Sequence, residues 1–364
     1  MPIPAVCKGL RRAVEGAPAV CNSHFRPVKR APALCNDHFR PAKRIPAVCN
    51  DSFCLAGHGH TPARPLTFTI RIANPTTMPQ TAEIATAELQ QIAAQVRRDI
   101  VRMVHAVNSG HPGGSLGCTD LLVALYFKVL RHNPEAFSMD GVGEDLFFLS
   151  NGHISPVFYS VLARSGYFPV SELATFRKLN SRLQGHPTTH EGLPGVRIAS
   201  GSLGQGLSVA CGAAQGKKLN SDDRRVFVLM GDGELEEGQN WEAIMYAAHH
   251  KIDNLIAIVD HNGQQIDGST AEVGGLGDLR AKFEAFGWHV LQANGNAFDT
   301  LLPALEAAQA ATGLGRPVLF IMDTQMGFGV DFMMGSHKWH GVAPNDAQLE
   351  TALQQLVVGT VGDY

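Results

Sequence analysis

The chain has 364 residues with 30 Lys/Arg against 33 Asp/Glu, and no apolar run approaches the roughly 18 residues that a membrane helix needs. The N-terminus lacks the apolar stretch of a secretory signal, so a soluble, cytoplasmic protein is expected. The near-neutral total hides an uneven division: residues 1–82 hold eleven Lys/Arg, three Asp/Glu and eleven of the 20 prolines, which leaves nineteen basic against thirty acidic residues beyond.

Residues 1–80 are read as a basic, proline-rich arm and 81–364 as one globular domain. Within the arm, APAVCNSHFRPVKR at 17–30 and APALCNDHFRPAKR at 31–44 repeat, and IPAVCNDSF at 45–53 begins a third copy. A period of 14 is too short for a solenoid, and prolines in each copy break helices, so disorder is expected. Other readings stay open. Cys21, His24, Cys35 and His38 form two Cys-x-x-His pairs, enough for one tetrahedral zinc, although the third copy carries Ser52 at the histidine position. The arm could also be a transit segment, or an upstream translated repeat ahead of a natural start at Met78.

The domain opens with Leu89, Ile92, Val96, Ile100, Met103 and Val107 at helical spacing, which predicts a long amphipathic helix over 81–108. A second helix is expected over about 118–130. Short apolar runs follow at Leu146–Leu149, Val226–Met230, Leu255–Val259 and Val318–Met322, separated by helical patterns. Strands alternating with helices predict an α/β fold, a mostly parallel sheet covered on both faces with ligands at the carboxyl ends of its strands. Cys118 and Cys211 are the only two of the seven cysteines in this domain, and each sits among small or apolar residues, as packed thiols in a reducing compartment do.

The most informative stretch, VFVLMGDGELEEGQNWEAIMYAAHHKIDNLIAIVDHNGQQIDG at 226–268, is a βαβ unit. A right-handed crossover brings Asp232 and Asn262 to the same sheet edge. A carboxylate, an amide oxygen and backbone carbonyls are hard ligands suited to Mg²⁺ or Ca²⁺ rather than zinc or copper. Gly231 and Gly233 let backbone approach a phosphate, and the following helix offers N–H groups to the anion. A lone Gly-Asp-Gly is more often a turn and cap; the asparagine at the end of the next strand reverses that weighting.

GDG-x₃-EG followed by DHNGQQIDG resembles the thiamine diphosphate signature, and the body from about 90 to 345 resembles the N-terminal domain of transketolases. The resemblance implies the thiamine diphosphate-binding fold. It implies that Asp232, the Asn262 side chain and the Gln264 carbonyl hold Mg²⁺, with Ca²⁺ or Mn²⁺ able to substitute. Gly231 and Gly233 would meet the diphosphate, Gly201 and Leu203 the aminopyrimidine side, and Ile266 would pack on the cofactor. His111, His153, His186 and His340, each beside Gly or Pro, would line the substrate channel, with His340 near the diphosphate and reacting centre. Imidazoles suit proton exchange near neutrality, although an isolated loop histidine is usually solvated surface. Glu237 resembles an acid linking paired active sites across an interface, its plain alternative being a helix-start glutamate favoured by the dipole.

The implied reaction moves a two-carbon ketol unit from a ketose, or its phosphate, to an aldose. The family's pyrimidine-binding domain and its activating glutamate have no counterpart here. A separate chain is therefore expected to supply them in an α₂β₂ assembly, active only when complete, and neither nucleic acid nor a membrane is an expected partner. GHPGGSLG, where single-chain members tend to carry Ala-Pro, is more similar to split transketolases. The alternatives are the α subunit of a thiamine diphosphate-dependent 2-oxo acid dehydrogenase, which lacks the four-histidine pattern, and a noncatalytic regulatory protein that keeps the fold.

Overall fold

The four apolar runs and one further strand form a five-stranded parallel sheet: β1 (Leu146–Leu149), β2 (Val226–Gly231), β3 (Leu255–His261), β6 (His289–Asn294) and β7 (Val318–Asp323), in spatial order β1-β2-β3-β7-β6. A short antiparallel pair, β4 (Gln264–Gln265) and β5 (Gly268–Ser269), forms a separate ribbon beyond β3. The computed structural model describes residues 84–356 and 362–364, which lie within one unit, Ala73–Tyr364. The repeats, the Cys-x-x-His pairs and Met78 fall outside the described residues.

Successive strand residues point to opposite faces, so each strand feeds two cores. Phe147, Leu149, Phe227, Leu229, Ile256, Ile258, Phe320 and Met322 pack on one side with α1 (Thr86–Ala106), α2 (Pro112–Gly117), α3 (Thr119–Ala124) and α4 (Ser155–Arg164). On the other side Phe148, Val226, Val228, Met230, Ala257, Val259 and Ile321 meet α5 (Gly206–Leu219) and α6 (Gly238–His249). Beyond the ribbon come α7 (Thr270–Gly274) and α8 (Leu279–Ala285), then α9 (Phe298–Ala310) and α10 (Asp346–Gln355). The expected α/β sandwich with a parallel sheet is what the chain forms. Among the described residues no helix is long and apolar enough to cross a membrane.

Three elements differ from expectation. α1 is shorter than 81–108, its end marked by Asn108 with φ 48° and Gly110 with φ 140°, backbone that stops a right-handed helix. The helix expected over 118–130 begins earlier, at Pro112, divides at Cys118 and finishes as a π turn over Leu125–Val129. Gly113, Gly114 and Gly117 disguised its first turns as a loop. They are small because a Cβ on Gly113 would lie 2.7 Å from the Trp339 carbonyl oxygen and one on Gly114 2.8 Å from Ile154. Edge strand β6 is not predicted, because its half-exposed sequence HVLQAN has no apolar run.

Candidate active site

β2 and β3 pair in parallel with Gly231 opposite Asp260, which places the two turns that follow them side by side. The Asp232 N–H donates to the Asp260 carbonyl at 3.2 Å. The Asp232 carboxylate accepts from Gly233 N–H at 2.8 Å and Gly263 N–H at 2.7 Å, so it spans both turns as the βαβ geometry predicts. Asn262 donates its Nδ2 to Asp260 at 2.8 Å, and its Oδ1 accepts the Gln264 N–H at 2.9 Å. Asp260, 2 % exposed, also accepts from the Thr324 hydroxyl and the Cys118 thiol. Cys118 is thus buried and free, as expected, but it also touches the site; Cys211 is buried and free elsewhere.

Two buried carboxylates stand together here. Burial and then the neighbouring Asp260 push Asp232 up to about 6, and burial raises Asp260 as well. Such a pair is eased by a cation. Each Asp232 oxygen has a second lone pair, and Asn262 Oδ1 adds a hard donor, so these residues fit a divalent ion of the magnesium class. Among the described residues no group of three or more His, Cys, Asp or Glu is arranged to hold a metal ion.

Glu234, three residues before Glu237, carries no motif signal of its own. Glu234 is 2 % exposed and accepts from the Ser150 hydroxyl, from Gly204 N–H at 2.8 Å and from Gly231 N–H at 3.1 Å. It joins the end of β1, the glycine-rich loop before α5 and the end of β2. Its only sequence signal was position within the turn. The 3-10 turn Gly233–Glu236 separates the Gly-Asp-Gly from α6, so α6 does not follow the turn directly, and the first N–H of the 3-10 turn is taken by Asp232. Glu237 is exposed and precedes α6 without capping it through its side chain.

The four histidines arrive from four loops. His111 precedes α2, His153 lies in the 3-10 turn Gly152–Ile154 after β1, His186 lies in the loop before Gly201, and His340 closes the 3-10 turn His337–Trp339. Ring centroids are 5.1 Å apart for His111 and His153, 5.4 Å for His111 and His340, 5.0 Å for His153 and His340, and 6.3 Å for His111 and His186. Gly201 is why His186 fits: with φ 123°, its Cβ would lie 2.7 Å from the imidazole. The expectation of groups titrating near neutrality needs correction. Burial, and then His340, Arg177 and His186, lower His111 to about 4. Burial also lowers His153, His186 and His340. All four are neutral at physiological pH, each able to donate at one ring nitrogen and accept at the other.

Buried Nδ1 of His111, Nδ1 of His340 and Oδ1 of Asn151 have no hydrogen-bond partner among the described residues. Ile266 is 62 % exposed, Leu203 is half-buried, and a Cβ on Gly233 would meet nothing nearer than Gln265 at 3.4 Å. Unsatisfied polar atoms, an uncovered apolar side chain and open backbone are what a bound organic diphosphate would complete.

Residues 89–359 match the family model described as "Transketolase, thiamine diphosphate binding domain". The chain is 38 % identical to one of the subunits of the apulose-4-phosphate transketolase of Actinobacillus succinogenes, covering 74 % of this chain and 96 % of that protein. It is 36 % identical to the 6-deoxy-6-sulfo-D-fructose transketolase subunit SqwG of a Clostridium species, with coverage of 74 % and 96 %. The crystal structure of transketolase from Campylobacter jejuni superposes with a TM-score of 0.70 at 34 % identity over 77 % of this chain and 44 % of that one. These likenesses favour neither a 2-oxo acid dehydrogenase nor a regulatory relic. The chain belongs to the transketolase family, and residues 89–359 are its thiamine diphosphate-binding domain.

Proposed function

We propose that the chain, joined in an α₂β₂ assembly to a second polypeptide carrying the pyrimidine-binding domain, transfers a two-carbon ketol unit from an anionic ketose to an aldose. The relatives named for apulose 4-phosphate and for 6-deoxy-6-sulfo-D-fructose point to sugars bearing a phosphate or sulfonate. The observation that carries the reading is the convergence of four neutral imidazoles from separate loops.

Thiamine diphosphate bound here supplies carbanion stabilisation. Asp232, the Asn262 amide oxygen and the Gln264 carbonyl would hold Mg²⁺, with Ca²⁺ or Mn²⁺ able to substitute. Gly231 and Gly233 leave room for the diphosphate, Gly201 and Leu203 border the aminopyrimidine side, and Ile266 covers an apolar face. His111, His153 and His186 hold the sugar hydroxyls and pass protons among them. His340, whose Nδ1 has no partner among the described residues, would serve the reacting centre and the diphosphate. Glu237, exposed at the start of α6, would reach across a subunit interface.

The test is copurification with the second chain, followed by a ketol-transfer assay over phosphorylated and sulfonated ketoses. Asp232→Ala should abolish Mg²⁺-dependent cofactor binding in the complex. Full transfer by the isolated chain, or metal and cofactor binding unaffected by D232A, would refute the reading.

A further inference from the structure

The three arginines of α1 serve different parts of the domain. Arg98 and Arg102 turn to Asp363, at 2.8 and 2.9 Å. Arg97 turns inward: it is 7 % exposed, and its Nη2 meets the equally buried Asp120 carboxylate of α3 at 2.7 Å. The same guanidinium lies over the Phe328 ring, 5.0 Å from its centroid. The backbone of Gly329, with φ 97°, runs so close that a Cβ there would come within 3.0 Å of the arginine stem. Among the described arginines only Arg97 stacks on a ring of the segment between β7 and His340.

That segment reaches the histidines in short steps. Gly327 N–H donates to the carbonyl of Gly113, two residues after His111, at 2.8 Å, and Gly335 N–H donates to the Met326 carbonyl at 3.0 Å. Met326 is buried against Gly113, where a Cβ would lie 2.7 Å from its side chain and 2.7 Å from the Trp339 carbonyl oxygen. Trp339 precedes His340, and Gly341 follows it so close to His111 that a Cβ there would stand 3.3 Å from the imidazole. Gly327, Gly329 and Gly335 all have positive φ, and glycine gives a segment more conformational freedom to lose than any other residue does. The two hydrogen bonds pin Gly327 and Gly335. Phe328 and Gly329, between them, have Arg97 as their fixed neighbour, a planar cation held in place by a buried carboxylate and suited to stacking on a ring.

We infer that Arg97 is a positioning residue for His340: paired with Asp120, it is the platform on which Phe328 and the Gly327–Gly329 turn rest, and that turn sets where His340 stands against His111. The catalytic consequence rests on the sugar-transfer reading above; the geometry belongs to the folded chain itself.

The experiment compares Phe328→Leu, Phe328→Tyr and Arg97→Lys. F328L removes the ring while keeping the buried ion pair, so no buried charge is left unpaired, and R97K keeps the charge but loses the plane. In crystals of the full chain the His111–His340 centroid separation of 5.4 Å should change by about 1 Å in F328L and R97K and stay as it is in F328Y. In the assembled two-chain enzyme, kcat for ketol transfer should fall roughly tenfold or more in the first two, as a displaced catalytic group costs, and recover in F328Y. Mn²⁺ affinity, read by electron paramagnetic resonance, should be unchanged in all three. A ring separation in F328L equal to wild type overturns the proposal, and so does full activity of that variant. Mn²⁺ binding weakened in step with kcat also overturns it, because the whole site would then have loosened. If F328L displaces the ring while the wild-type complex transfers ketol units to no acceptor, the positioning role stands and the proposed function falls.

Discussion

Asn262 can present either end of its amide to a cation, and Asp260 decides which. By accepting the Nδ2 hydrogens at 2.8 Å it leaves the oxygen for other partners. Asp260→Asn keeps the volume but removes that bias, and outer ligand partners of this kind are worth about 10–100-fold in metal affinity. Mn²⁺ binding to the assembled complex, followed by electron paramagnetic resonance, should weaken by about that factor; unchanged affinity would show that Asn262 orients itself. Glu234 acts on backbone instead, gathering two glycine N–H groups and a hydroxyl. Glu234→Gln turns one accepting end into a donor facing donors, at a cost of about 2 kcal/mol for a buried charge-assisted set. Urea unfolding should show a lower midpoint at unchanged slope, and amide exchange at Gly204 should quicken; a midpoint equal to wild type would contradict the strut.

The strands that carry the Asp232 and Asn262 turns were legible because they are buried on both faces and read as unbroken apolar runs, as β2 and β3 do. The Asp232 and Asn262 turns could be placed from the length of the crossover alone. β6 and α2 were not legible, for opposite reasons: one alternates in burial at a sheet edge, the other hides a helix among glycines. The histidines could be named from their motifs, yet their mutual distances depend on close backbone approaches that no local pattern encodes. Gly206, the first residue of α5, illustrates this. A Cβ there would come within 2.9 Å of the Ser150 Cα, whose hydroxyl accepts the Gly206 N–H at 3.1 Å. Gly206→Ala should therefore push α5 away from β1, costing on the order of 2 kcal/mol as overpacking does. Differential scanning calorimetry would register a lower Tm, and an unchanged Tm would mean that the loop yields freely.

For the whole molecule, the histidine cluster links stability to acidity. His111 has a folded pKa of about 4 against an ordinary 6.5, so between those values the unfolded chain binds more protons than the folded one. Its contribution to stability is complete above about 6.5 and is lost as the pH falls towards 4. Thermal unfolding between pH 7 and 4 should show a Tm that drops more steeply in wild type than in His111→Asn; parallel curves would exclude the cluster as the cause. The origin of its members in the chain has a further consequence. His111 belongs to the first turns of the domain, whereas His340 lies beyond β7, and Thr324, the residue just past β7, also holds Asp260. A ribosome-bound chain that has released only β1 to β3 therefore owns Asp232, Asn262 and three of the histidines but neither the clamp on Asp260 nor the fourth ring. The histidine cluster and the hydrogen bond from Thr324 to Asp260 are therefore complete only once the chain has passed β7.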